Sequence, residues 1–302
     1  MMFSSIQRIT LRQLSTGSQI QEVVIIGGGL MGAGIAQVSA QTNHKVTLVD
    51  LSEKVLTSSE KRIRTSVSRV AKKLFKDDNK ASEAFIEDTM GRLSLVSDGG
   101  EALASADLVV EAITENLPLK QRLFREWDEV CPEKTILASN TSTLRISDIM
   151  KNVKRQDRVG GLHFFNPVPV MKLLEVIRTD STSDQTFNAM SAWGRAIGKH
   201  TVACKDTIGF IVNRLLGPYI QEALAMVERG DATFQDVDAA MKLGAGYPMG
   251  PFELLDYTGL DLHKFINENP DHPFRQESKL INSMVEQGKL GVKSGEGFYK
   301  YK

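Results

Sequence analysis

Two runs decide the fold: Glu22-Val-Val-Ile-Ile-Gly-Gly-Gly-Leu-Met-Gly-Ala-Gly-Ile-Ala-Gln-Val38, then Lys45-Val-Thr-Leu-Val-Asp50. The apolar residues after Glu22 make a short buried strand. Gly27 to Gly32 follow at once as G-x-G-x-x-G, and Ala33 to Val38 read as a helix. A second apolar strand then ends in an acid. Gly27 makes the tight turn, Gly29 admits backbone N–H groups to a pyrophosphate at the helix N-terminus, and Gly32 lets helix and strand pack closely. Gly28, Leu30 and Met31 complete this candidate cofactor-binding turn. Asp50 is placed to accept hydrogen bonds from an adenine ribose, and its charge repels a 2′-phosphate. Leu51, Ser52 and Glu53 follow it, with no arginine, so the pattern predicts NAD rather than NADP.

Working outward, strands and helices keep alternating. Arg92–Val96, Ala106–Ala112 and Thr135–Ser139 read as strands, and Leu117–Val130 reads as a helix with Pro118 in its first turn. This predicts an α/β chain built on a doubly wound, Rossmann-type parallel sheet, whose ligands lie beyond the carboxyl ends of its strands. Glu115, Lys120 and Asn140-Thr-Ser142 stand at those ends. Ser142 reads either as a helix cap or as a donor to a substrate oxygen. Two helices, about Ser52–Asp78 and Ala81–Met90, read as a pair inserted between strands. On the first, Arg62, Ser66, Arg69, Lys73 and Lys76 recur at three- and four-residue intervals, so they share a face. Such a stripe is either a solvated face or a landing strip for a phosphorylated ligand.

Further on, Gly161-Leu-His-Phe-Phe-Asn-Pro-Val-Pro-Val-Met-Lys-Leu-Leu-Glu-Val-Ile177 holds one histidine and one glutamate in two apolar runs. Asn166, Pro167 and Pro169 break the runs, so the chain is expected to reverse and bring Glu175 beside His163. A histidine held by a carboxylate is a tuned proton acceptor, although a buried structural histidine has the same pattern. After Asp206 the texture becomes helical, from Gly209 to about Gln287. Strand signal returns only in Gly297-Phe-Tyr-Lys300. Asn213 falls near the start of the first of these helices, where an amide among apolar neighbours needs a partner. The expected organisation is therefore a leader (1–18), a Rossmann-type domain (19–206) and an all-α domain (207–302).

The 37 basic residues balance the 37 acidic ones, which argues against a nucleic-acid binder. Two cysteines, Cys131 and Cys204, form neither a disulfide framework nor a metal cluster, so no metal is expected. No apolar run reaches the roughly 18 residues of a membrane span. Met1–Ser18 carries Arg8 and Arg12, many hydroxyl residues and no acid, and resembles a mitochondrial transit peptide.

Taken together, Ile25–Ile35, Ser139-Asn-Thr-Ser142, His163-Phe-Phe-Asn-Pro167, Gly209-Phe-Ile-Val-Asn-Arg214 and Gly246-Tyr-Pro-Met-Gly-Pro-Phe252 resemble the short, monofunctional mitochondrial L-3-hydroxyacyl-CoA dehydrogenases of fatty-acid β-oxidation. The resemblance covers nearly the whole chain. It implies NAD-dependent oxidation of a 3-hydroxyacyl-CoA in the mitochondrial matrix, by a homodimer built through the helical domain. His163 would be the base, Glu175 its orienting partner, and Ser142 the ligand of the substrate's 3-oxygen. Asn213 would be the helical-domain residue needed for activity. Ser66 and Lys73, with Ser142, would contact the coenzyme A substrate; Glu115, Lys120, Ser142, Asn166 and Lys293 would surround NAD. An inactive NAD-binding protein on the same scaffold, or a dehydrogenase of another hydroxyacid, are the competing readings.

Overall fold

The computed structural model describes residues 20–268, 275 and 277–301; the expected leader lies outside the described residues. The chain divides into two compact units between Phe210 and Ile211.

The first unit is an eight-stranded sheet: β1 (Glu22–Ile26), β2 (Lys45–Val49), β3 (Leu93–Val96), β4 (Leu108–Glu111), β5 (Ile136–Ser139), β6 (Val159–Phe164), β7 (Leu173–Arg178) and β8 (His200–Lys205). Its order is β3-β2-β1-β4-β5-β6-β7-β8. Pairs up to β5–β6 are parallel, β6–β7 is antiparallel and β7–β8 parallel. The strand order turns back between β1 and β4, which opens a crevice at their carboxyl ends. Every residue of β4, β5 and β6 is buried, as strands covered on both faces require. The connecting helices are α1 (Leu30–Ala40), α2 (Glu53–Phe75), α3 (Asn79–Gly91), α4 (Gly100–Leu103), α5 (Leu117–Val130), α6 (Ile146–Ile149) and α7 (Asp184–Ala196). Side chains start several of them: Ser52 for α2, Asn116 for α5 and Ser183 for α7.

The helical pair α2–α3 replaces a single crossover between β2 and β3. On α2, Leu56, Ile63, Val67 and Ala71 are buried, while Arg62, Arg69 and Lys73 are exposed. Lys76, grouped with that face from spacing, falls just past the helix at φ 43° and so leaves the stripe. Strand β8 escaped the sequence reading, because His200-Thr-Val-Ala-Cys-Lys205 alternates only weakly.

The second unit packs α8 (Val212–Arg229), α9 (Phe234–Gly244), α10 (Pro251–Thr258), α11 (Leu260–Glu268) and α12 (Lys279–Glu286). Gly230, at φ 77°, ends α8 in the left-handed conformation that glycine tolerates. Its core gathers Phe252, Leu255, Leu260 and Ile281, with Phe234 and Phe298 against them. The expected strand at Gly297–Lys300 is absent among the described residues. The chain there makes only single bridges, Gly291 to Glu296 and Glu296 to Lys300. Two buried carboxylates hold this terminal segment instead. Asp256 accepts from Phe298 N and Tyr299 N at 2.9 Å and from Tyr301 Oη at 2.8 Å. Asp238 accepts from Phe252 N and Tyr299 Oη, both at 2.8 Å.

Candidate active site

The glycine turn after β1 is shaped for a close-approaching ligand. Gly27 has φ 107°, and a Cβ there would lie 2.5 Å from the Ala112 carbonyl oxygen. A Cβ on Gly32 would come within 1.8 Å of the Gly27 carbonyl oxygen, so only glycine lets α1 pack there. Gly29 precedes α1 with no side-chain cap, and a Cβ on it would meet nothing within 4 Å. The first N–H groups of α1 are thus left to an anion. Asp50 braces the turn: its carboxylate accepts from Gly28 N at 2.8 Å and Ser52 N at 3.0 Å. Ser59 on α2 donates to the Gly28 carbonyl from behind. Leu30 is exposed and Met31 half-buried beside it. This arrangement fits a dinucleotide: an open helix terminus for the pyrophosphate and an acid at the end of β2 for a ribose.

His163 and Glu175 stand directly opposite each other across the antiparallel β6–β7 pair. The His163 Nδ1 and a Glu175 carboxylate oxygen are 2.7 Å apart, and both residues are buried. That contact assigns the proton to Nδ1 and leaves the lone pair on Nε2. Phe165 and Phe210 pack on the imidazole with ring centroids 4.5 and 5.4 Å away. The ring is therefore fixed in position and largely shielded from water.

At the neighbouring strand ends the predicted polar residues form one network. Glu111, the last residue of β4, is 0% exposed. Its two oxygens accept from Lys120 Nζ at 2.7 and 2.9 Å, from Ser139 Oγ at 2.6 Å and from Ile113 N at 2.7 Å. Lys120, expected beside the cofactor, is 1% exposed, and its ammonium also meets Glu115 at 3.2 Å. Thr141 Oγ1 donates to Glu115 at 2.9 Å, and Ser142 N donates to the same carboxylate at 3.1 Å. Ser142 lies in a loop; the cap position of the next helix, α6, is Arg145. The helix-cap reading of Ser142 is thus replaced by that of a loop hydroxyl. Asn140 Oδ1 accepts from Phe164 N at 2.9 Å, which ties this loop to the residue after His163.

Asn166 sits in the β6–β7 turn. Lys199, just before β8, is buried and holds the same turn by donating to the Val168 carbonyl and, at 2.7 Å, to that of Met171. Burial, and then Lys172 nearby, push the Lys199 ammonium down to about 8. The turn, α1 and α2 enclose a cleft of about 380 Å³, which Arg62, Ser66, Arg69, Asn166 and the buried Gln37 line. Lys73 is not among the lining residues; it lies one turn beyond Arg69 on α2. In the second unit, Asn213 is the second residue of α8, and Lys293 is ion-paired with Asp261. Sequence reasoning missed Glu111, Gln37 and Lys199. An acid inside the apolar run Leu108-Val-Val-Glu111 was the one visible signal among them.

A family model described as "3-hydroxyacyl-CoA dehydrogenase, NAD binding domain" matches residues 22–207, and one described as "3-hydroxyacyl-CoA dehydrogenase, C-terminal domain" matches residues 209–301. The mitochondrial hydroxyacyl-coenzyme A dehydrogenase of Rattus norvegicus is 56% identical over 94% of this chain and 92% of its own length. That of Homo sapiens is 54% identical over the same shares. Among solved structures, the (S)-3-hydroxybutyryl-CoA dehydrogenase PaaH1 of Ralstonia eutropha superposes with a TM-score of 0.84 at 37% identity, covering 94% of this chain and 100% of that one.

Proposed function

This chain belongs to the 3-hydroxyacyl-CoA dehydrogenase family, and from that premise we propose how its own residues perform the reaction. The protein is an oxidoreductase that converts a 3-hydroxyacyl-CoA to the 3-oxoacyl-CoA with NAD. Bound NAD supplies the acceptor for the hydride. Gly27 to Gly32 and Asp50 would hold its pyrophosphate and adenine ribose, with Glu115, Lys120, Ser142, Asn166 and Lys293 as further contacts.

His163 is the base. Its Nε2 takes the proton from the 3-hydroxyl as the carbon gives up its hydride. Glu175 keeps the ring in the tautomer that offers Nε2, and its charge stabilises the imidazolium once the proton arrives. Ser142 and Asn213 are assigned as hydrogen-bond partners of the 3-oxygen. Ser66 and Lys73 are assigned to the coenzyme A moiety, with the basic face of α2 favouring its phosphates. The single observation behind this reading is the 2.7 Å contact between two buried side chains at paired strand positions. His163→Gln is expected to lower kcat by about 10²–10⁴-fold, the usual worth of a positioned base, with NADH affinity nearly intact. Turnover within a few-fold of wild type would remove His163 from the role.

Residues 19–206 serve the cofactor and 207–302 form the helical substrate and dimerisation domain in this reading. The second unit leaves Leu215, Leu243 and Phe265 at 69, 88 and 70% exposure, large apolar side chains of the kind a second copy would cover. The relatives' names indicate the mitochondrion, and the matrix is the compartment we assign. Among the described residues no helix is long and apolar enough to cross a membrane.

A further inference from the structure

We propose that Glu111 is a positioning residue for this reaction: through Lys120 and Ser139 it fixes Glu115 and the Asn140–Ser142 loop beside the strand that carries His163. The proposal rests on the reading above in one respect, the role of Ser142 toward the substrate oxygen.

The geometry runs in unbroken steps. Glu111 ends the strand beside β1 and β5, at the point where the sheet's order turns back. Both of its oxygens are used twice, by Lys120, Ser139 Oγ and Ile113 N. Lys120 then has three acceptor oxygens for three N–H groups, two on Glu111 and one on Glu115. On the other side Ser139 Oγ accepts from Thr141 N at 3.1 Å. Thr141 Oγ1 accepts from Leu144 N at 3.0 Å while donating to Glu115. Glu115 therefore receives Lys120, Thr141 and the Ser142 amide together. The loop so held also grips β6 through Asn140 and Phe164 N.

A buried ion pair is a weak stabiliser, because desolvating the two charges offsets most of their attraction, and apolar residues of similar size often serve as well. A pair 0% and 1% exposed, with each acceptor position filled and its partners at the reacting end of the sheet, is better suited to specifying geometry. Ser142 stands in a loop, and its amide is held by the carboxylate that Lys120 holds. A shift of about 1 Å in such a group costs on the order of 10²-fold in rate.

The test is a double-mutant cycle on the full-length enzyme, assayed by NADH absorbance with acetoacetyl-CoA. Glu111→Gln is expected to lower kcat by roughly 10–100-fold, while KM for acetoacetyl-CoA stays within about three-fold. In a Ser142→Ala background the same change should cost less than about three-fold, because it acts through Ser142. Equal fold-losses in both backgrounds would overturn the proposal and leave the reading of Ser142 standing. Near-normal turnover by Ser142→Ala alone would overturn that reading and the proposal with it. If Glu111→Gln does not fold, Ser139→Ala, which cuts the link from Glu111 to the Thr141 amide, replaces it. A folded Ser139→Ala variant with wild-type kcat overturns the proposal; one with a wild-type melting temperature and the expected loss of kcat supports it, since a merely stabilising link would leave turnover alone.

Discussion

An imidazole is a useful base only if one nitrogen is committed and the other is free to act. Here the commitment comes from a carboxylate across a strand pair, so the pairing of backbone N–H and C=O groups sets the side-chain contact. Glu175→Gln keeps the shape but removes the counter-charge for the imidazolium, so kcat should fall while the fold persists. Lys199 offers a second test at this scale. An ordinary lysine holds its proton to near pH 10.5, and this one releases it at about 8 because burial penalises the charge. Between those values the unfolded chain carries a proton that the folded chain has shed, so the Lys199 contribution to stability rises with pH. Relative to Lys199→Met, the wild-type unfolding free energy should gain on the order of 2–3 kcal/mol from pH 8 to 10.5, read by urea titration. Parallel pH profiles would show that the ammonium is not desolvated.

Elements built from local signals were legible in advance. The strand, glycine turn, helix and acid from Glu22 to Asp50 needed only spacing and residue type, because each glycine answers a steric demand set within a few residues. The reversal that joins His163 to Glu175 was legible for the same reason. Non-local demands were not. The acid closing the apolar run Leu108-Val-Val-Glu111 hints at a buried charge, but nothing there names Lys120, nine positions on, as its partner, and nothing near His200 marks β8 as a strand. Helix α2 shows both sides of this. Its basic face could be counted from the sequence, but the end of the helix before Lys76 depends on the turn into α3. Ser66→Ala and Lys73→Ala should each raise KM for acyl-CoA several-fold with kcat little changed, as expected for contacts made equally in ground and transition states. A change confined to kcat would move these residues out of substrate binding.

On the scale of the molecule, each unit has its own core and its own way of closing its ends. The helical unit relies on Asp256, whose carboxylate takes two backbone N–H groups and a tyrosine hydroxyl from the final segment. Asp256→Ala would strand those donors, and about 3–5 kcal/mol of stability should disappear in denaturant titration. The exposed apolar side chains of the same unit bear on assembly. Sedimentation should give a dimer for the wild type, and Phe265→Glu with Leu243→Glu should shift it toward monomer. A wild-type monomer at micromolar concentration would remove the helical unit from that role.

The antiparallel pairing of β6 and β7 has one more consequence, for insertions and deletions. Side chains alternate between the two faces of a strand, so slipping β7 by a single residue would aim Glu175 through the sheet and set an apolar neighbour against the imidazole. On the proposed mechanism, the length of the loop from Phe165 to Lys172 therefore counts as much as the residues it joins. One amino acid added there that shifts the register would silence turnover while every assigned side chain remained in the gene product.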